Sequence, residues 1–295
     1  MMRALVVCVV LLGTAAAGAR AQCLPPLLPP GEQPPCRENW PAWTGEVAVL
    51  GANALLGGVS AGINQKIRGG SFRDAFLGGL AGGAFVYGGK RIAAERFGGA
   101  GLVGREVAAL GGSMVRNAGD GIGLFDRVVL PLGVARLYVE RGGSMRLRAD
   151  LVTIGWLAYA LTEDELEFDP GMSLSSGAFA FRTNERLIGT AADSVHASGI
   201  TEPGIMFLAD VAAYGREYER RTFEHERIHI LQLDQIFLTI TNPVEDAALK
   251  RVPYLSRLEP YVDINLSSVL MSAISSRIPK HLDRPWETEA IFFSR

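Results

Sequence analysis

Cysteine is scarce in this chain, and its few positions already limit the chemistry. Of three cysteines, Cys8 stands in an N-terminal apolar run, which leaves Cys23 and Cys36. Two thiols alone make a poor metal site. Net charge is nearly absent as well, at −2, with acids and bases mixed along the sequence. That balance argues against nucleic acid or an anionic membrane face as the main partner. No glycine pair is followed by the Lys-Ser/Thr of a phosphate-binding loop, and no G-x-S-x-G nucleophile elbow occurs. No internal repeat is visible beyond a spacing of glycines.

What is there begins with an export signal. MMRALVVCVVLLGTAAAGARAQ has one early arginine, a short apolar core and the triplet Ala19-Arg20-Ala21. It is read as a secretory signal peptide over residues 1–21, cut before Gln22. The expected location is the periplasm, the cell envelope or the medium. A Pro-rich leader over 22–45 follows, in which Cys23 and Cys36 flank LPPLLPPGEQPP. In an oxidising compartment the pair is expected to form one structural disulfide.

Glycine is abundant in one place. The region 46–125 holds more than half of the 35 glycines, many in adjacent pairs such as Gly57-Gly58, Gly78-Gly79 and Gly82-Gly83. Glycine costs about 1 kcal/mol against alanine inside a helix, so such a run needs a compensating reason. Close approach of helices through small faces supplies one. Its most apolar piece, Ala75 to Gly89, is short of the roughly 20 residues of a spanning helix. Closely packed or membrane-associated helices are therefore expected, rather than a spanning hairpin.

Residues 126–295 read as a sheet followed by helices, which makes the fold class α+β. Met145, Leu147, Ala149 and Leu151 alternate with charged residues, the period of a half-buried strand. RVVLPLGVARLYVE, GWLAYAL, ELEF and GAFAFRT are also read as strands of one antiparallel sheet, with Asp169-Pro170-Gly171 as a turn. Pro131 should keep its strand at an edge. A long helix is expected from Val211 to Leu238, stopped at Asn242-Pro243, with a second over Val262–Ile278. A short third helix, WETEAIFF, opens on Pro285.

Chemistry concentrates in EHERIHILQ, residues 224–232. His225 and His229 are four apart and share a helix face, with Glu226 at its edge. Two imidazoles at this spacing can hold zinc while the glutamate reaches a water that the metal acidifies, the HExxH arrangement. Gln232 lies on the same side, able to orient a ligand or touch substrate. Apolar residues surround the rest of the helix. Burying two histidines and an acid there is costly unless something satisfies them.

HERIHILQ, with WETEA late in the chain, resembles the gluzincin class of zinc metallopeptidases, including small extracytoplasmic bacterial HExxHxxQ families. The resemblance implies zinc held by His225, His229 and Glu287, with Glu289 as the alternate third ligand and Glu226 as general base. It implies an exported enzyme that hydrolyses peptide bonds in a peptide or protein substrate. It also implies an edge strand above the metal helix that holds the peptide extended, for which GIMFLAD is the candidate. The aspartate that often follows the alanine is replaced by Ile291. His281 is a candidate for lining the site, His196 reads as an ordinary loop or strand residue, and Tyr254 and Tyr261 are candidate oxyanion donors. The rival reading is a non-enzymatic envelope or membrane-associated protein with a structural metal, or none.

Overall fold

A computed structural model of the protein describes residues 42–183, 187–188, 196–197, 199–209, 215–278 and 284–294. The expected signal peptide, the expected Cys23–Cys36 disulfide and His281 lie outside them, as do the side chains around His196.

The glycine-rich region is built of three helices. Helix α1 (Ala42–Ile67), α2 (Phe72–Ala93) and α3 (Ala100–Asp120) follow one another through short loops. Ser71 caps α2 by accepting from the Asp74 amide at 3.4 Å, and Gly121 ends α3 at φ +74°. The glycines are what let these helices touch. A Cβ at Gly57 would lie 2.4 Å from the Gly79 carbonyl oxygen, and one at Gly83 would lie 2.2 Å from that of Asn53. Backbone packs on backbone there, so any side chain would force the helices apart. The stretch Gly45–Ile67 is by length and composition sufficient to cross a membrane, with 28 % of an 18-residue window in it buried.

The remainder is α+β, with two four-stranded sheets that are mixed rather than one antiparallel sheet. The first has β1 (Arg127–Leu132), β2 (Ala135–Glu140), β3 (Met145–Asp150) and β10 (Val262–Asp263) in that order. Its three early strands are antiparallel, while β10 joins β3 in parallel. Pro131 sits in the outer strand β1, as its missing N–H demands. The second has β4 (Leu166–Phe168), β5 (Phe179–Thr183), β9 (Ile205–Ala209) and β8 (Gly199–Glu202), with β5 and β9 parallel. A two-residue pair, β6 (Leu187–Ile188) with β7 (His196–Ala197), completes the described strands.

Three segments depart from the sequence reading. GWLAYAL lies inside a helix, α4 (Leu151–Thr162), because the Asp150 side chain accepts from the Thr153 amide at 3.0 Å and caps it. Asp169-Pro170-Gly171 likewise starts a helix, α5 (Pro170–Ser176), with Asp169 as its cap. The second long helix is shorter than expected. Its first residues enter β10, and only Ser267–Ser275 forms α8.

The long helix α6 spans Arg216–Ile236 and passes through a π turn, Phe237–Thr241, into α7 (Asn242–Arg251). Pro243 therefore opens a new helix in its first turn instead of only ending the old one. The last helix, α9 (Pro285–Phe293), is WETEAIFF with its proline. One apolar core joins the two halves of the chain. Val86, Ala93 and Ala108 of α2 and α3 cluster with Ile228 and Leu231 of α6, Met206 and Leu208 of β9, and Ala290 and Phe293 of α9. The glycine-rich helices are thus part of the wall around α6.

Candidate metal centre

Helix α6 carries the HExxH residues in its most buried stretch, and α9 supplies the third corner. The His225 Nε2 lies 3.1 Å from Glu287 Oε2, the His229 Nε2 lies 3.3 Å from the same oxygen, and the two Nε2 atoms are 3.0 Å apart. Their residues are 4 to 8 % exposed. Pro285 helps bring Glu287 there, since its fixed φ starts α9 and leaves Glu287 in the first turn.

The donor set fits a small divalent cation. Bonds of about 2.0–2.1 Å in a tetrahedron separate ligand atoms by roughly 3.3 Å, close to the spacings here. Charge makes the same point. Burial disfavours an imidazolium at His229, yet the Glu287 carboxylate, aided by Glu226 and Gln232, lifts its pKa to about 9. Two ring nitrogens and a carboxylate oxygen within 3.3 Å repel one another unless a proton or a metal cation lies among them. The described residues hold this one triad of candidate ligands, and nothing in it selects which metal.

Gln232 fixes how His229 presents itself. Its Nε2 donates to the Trp286 carbonyl at 2.9 Å and to Glu289 at 2.8 Å. Both partners can only accept, so the amide oxygen is the end that faces His229 Nδ1, at 2.7 Å. In its neutral form His229 then carries its proton on Nδ1, which leaves the Nε2 lone pair in the triad. This is the usual support of a metal-ligating imidazole. His225 Nδ1, by contrast, is buried with no hydrogen-bond partner among the described residues.

Glu289 is placed outside the triad, which corrects its candidacy as an alternate ligand. It accepts from Asn53 at 2.6 Å, from Gln232, and from Lys90 at 2.9 Å to both oxygens. Alternation along a helix explains the split. Residues two apart face opposite ways, so only one of Glu287 and Glu289 can meet the histidines. Lys90 is 1 % exposed and also reaches Asn53 Oδ1 at 3.0 Å and Gln235 Oε1 at 2.9 Å. Burial pulls the Lys90 pKa down. Glu289 stays ionised in spite of burial, because Lys90, Asn53 and Gln232 hold its pKa below the ordinary value. Asn53 and Lys90 were not legible as site residues, since they lie 236 and 199 positions from Glu289.

Glu226 points under a strand. Thr201 Oγ1 donates to Glu226 Oε2 at 2.6 Å, and a Cβ on Gly199 would fall 2.5 Å from Glu226 Cγ. Gly199 and Thr201 share a face of β8, the outer strand of its sheet. GIMFLAD does form a strand, but β9 is internal, between β5 and β8, and cannot offer a free edge. Among the described residues, the strand beside α6 with an unpaired edge is β8. Tyr254 and Tyr261 are exposed and neither hydrogen-bonds to the triad.

These features define the site as a buried His-His-Glu candidate metal centre with a glutamate beside it, in an α+β fold. No protein-family model, curated protein or solved structure matches the chain.

Proposed function

We propose that this protein is an exported zinc metallopeptidase of gluzincin type. The observation that carries the reading is the meeting of His225, His229 and Glu287 within 3.3 Å, with Glu226 next in sequence on α6. A bound zinc would polarise the scissile carbonyl and make a water molecule easier to deprotonate. The chain's own residues supply the rest. Glu226, with Oε2 held by Thr201, accepts a proton and returns it to the leaving amine. Gln232 keeps His229 in the tautomer that leaves Nε2 free. The unpaired edge of β8 offers backbone groups to an extended peptide.

A structural metal site is the second reading, favoured by one feature. Glu226 is 6 % exposed, with the Thr201 hydroxyl on its carboxylate and β8 across it. Two measurements separate the readings. Zinc stoichiometry near one in the wild type, lost in His225→Ala and Glu287→Ala but kept in Glu226→Gln, supports the triad under either reading. Peptide hydrolysis that disappears in Glu226→Gln while zinc remains supports the enzyme. Wild-type activity in Glu226→Gln ends the peptidase proposal, and absence of zinc from the wild type ends both.

A further inference from the structure

A cavity of about 730 Å³ opens where the ends of α1 and α3 meet β1–β3 and α7. None of its lining residues belongs to the metal centre. Its lining carries seven basic and three acidic side chains, in a protein whose net charge is −2. Arg116 and Arg148 stand in its wall, 5 % and 3 % exposed. Arg68, Arg127 and Arg146 line it from α1's end and the sheet, and Lys250 and Arg251 from the last turn of α7.

Ion pairs neutralise only part of this charge. Asp246 bridges Arg116 at 2.7 Å and Arg148 at 3.1 Å, and Asp120 bridges Arg68 at 2.7 Å and Arg127 at 3.1 Å. Glu259 meets Arg148 at 2.8 Å and is shared at 3.7 Å by Lys250. Glu140 and Asp263 add two more acids from outside the lining, through Arg146 at 2.5 Å and Arg148 at 3.0 Å. Seven bases then face five acids, which leaves two positive charges. Arg251 has no ion-pair partner among the described residues. The buried Nε–H groups of Arg116 and Arg127 also lack a hydrogen-bond acceptor among the described residues, with Asp120 and Glu140 carboxylate oxygens at 3.9 and 3.8 Å.

The same cavity has an apolar side. Ile67 and Val244 are 53 % and 57 % exposed at its margin, beside Pro243, Ala247 and Ala248. Guanidinium forks suit a tetrahedral oxyanion, an excess of two charges suits a dianion, and exposed aliphatics suit a hydrocarbon attached to it. We propose that this cavity binds the phosphate group of an amphiphilic phosphate ester, either soluble or as a lipid headgroup. The inference stands apart from the metal centre and from the proposed peptidase activity.

Calorimetric titration of the purified protein at fixed ionic strength tests it. The probes are inorganic phosphate, dihexanoyl phosphatidic acid, and vesicles of phosphatidylglycerol or of phosphatidylcholine. The expected result is saturable binding of dihexanoyl phosphatidic acid, weakened at least tenfold in Lys250→Ala/Arg251→Ala and unchanged in Arg141→Ala. Arg141 is a suitable control because its side chain is 82 % exposed and outside the cavity. Both cavity substitutions remove exposed side chains, so the variant keeps its fold. Binding of the soluble ester without vesicle binding assigns the soluble source, and added binding to phosphatidylglycerol but not phosphatidylcholine assigns the lipid. The proposal is overturned if no phosphate probe binds saturably. It is equally overturned if the double variant binds as the wild type does, or if Arg141→Ala weakens binding to the same extent.

Discussion

Replacing Lys90 by methionine keeps most of the buried stem and deletes the ammonium at its end. In the native protein that ammonium contacts both oxygens of Glu289 at 2.9 Å, with Asn53 and Gln235 as further partners. Without it Glu289 keeps the Asn53 and Gln232 amides but no counter-charge. Removing one member of a buried ion pair costs about 3–5 kcal/mol, because the other charge stays desolvated. At roughly 2–4 °C per kcal/mol for a protein near this size, the unfolding midpoint should fall by about 10 °C. A second effect should reach the triad. Glu289 and Trp286 orient Gln232, and Gln232 sets the tautomer of His229, so affinity for the proposed zinc should fall as well. Loss of such support typically weakens metal binding 10- to 100-fold. Thermal unfolding of the metal-free protein and chelator competition measure the two effects separately. Lys90→Met/Glu289→Gln should recover part of the stability, since the stranded charge is gone. A Lys90→Met midpoint within about 2 °C of wild type, with unchanged zinc affinity, would refute the idea that α2 supports the candidate metal centre.

Other expectations follow from single contacts. Gln232→Leu should lower zinc affinity about 10-fold or more in chelator competition while leaving the fold intact by circular dichroism. Gly83→Ala should destabilise by about 2 kcal/mol in urea unfolding despite alanine's better helix propensity, because its Cβ meets the Asn53 carbonyl. Glu106, whose pKa burial raises to about 7 with Arg105 opposing and Asp234 adding to the effect, should make stability depend on pH. A raised carboxyl pKa contributes stability below the unfolded value near 4.5 that is lost as pH rises through 7. Glu106→Gln should therefore be more stable than wild type at pH 8 and show no advantage at pH 4, as read by urea midpoints at both.

Local sequence carried a good part of this molecule. The i, i+4 spacing around Glu226 placed both histidines on one face of α6 without any tertiary information, because helix geometry alone enforces it. Glycine pairs announced helices in close contact, and the proline of RVVLPL announced an edge strand. Short-range signals also misled. LVTIGWLAYALT is apolar at both helical and strand periods, and α4 is held by the Asp150 cap on Thr153 together with the packing of Trp156, Leu157 and Ala160 against Phe181 and Phe207. GIMFLAD was correctly a strand, but whether a strand lies inside a sheet or at its edge is a property of its neighbours.

What the sequence by itself determined is therefore the chemistry of one helix face and the packing habit of another region. The tertiary structure decided which late glutamate completes the triad, and put Thr201 on Glu226 and Lys90 beneath Glu289. It also gathered arginines and a lysine from positions 68 to 251 around one cavity. The reason is physical. Periodicity and capping act over a few residues and leave a local trace, whereas a buried charge is satisfied by whatever group the fold carries to it from any distance along the chain.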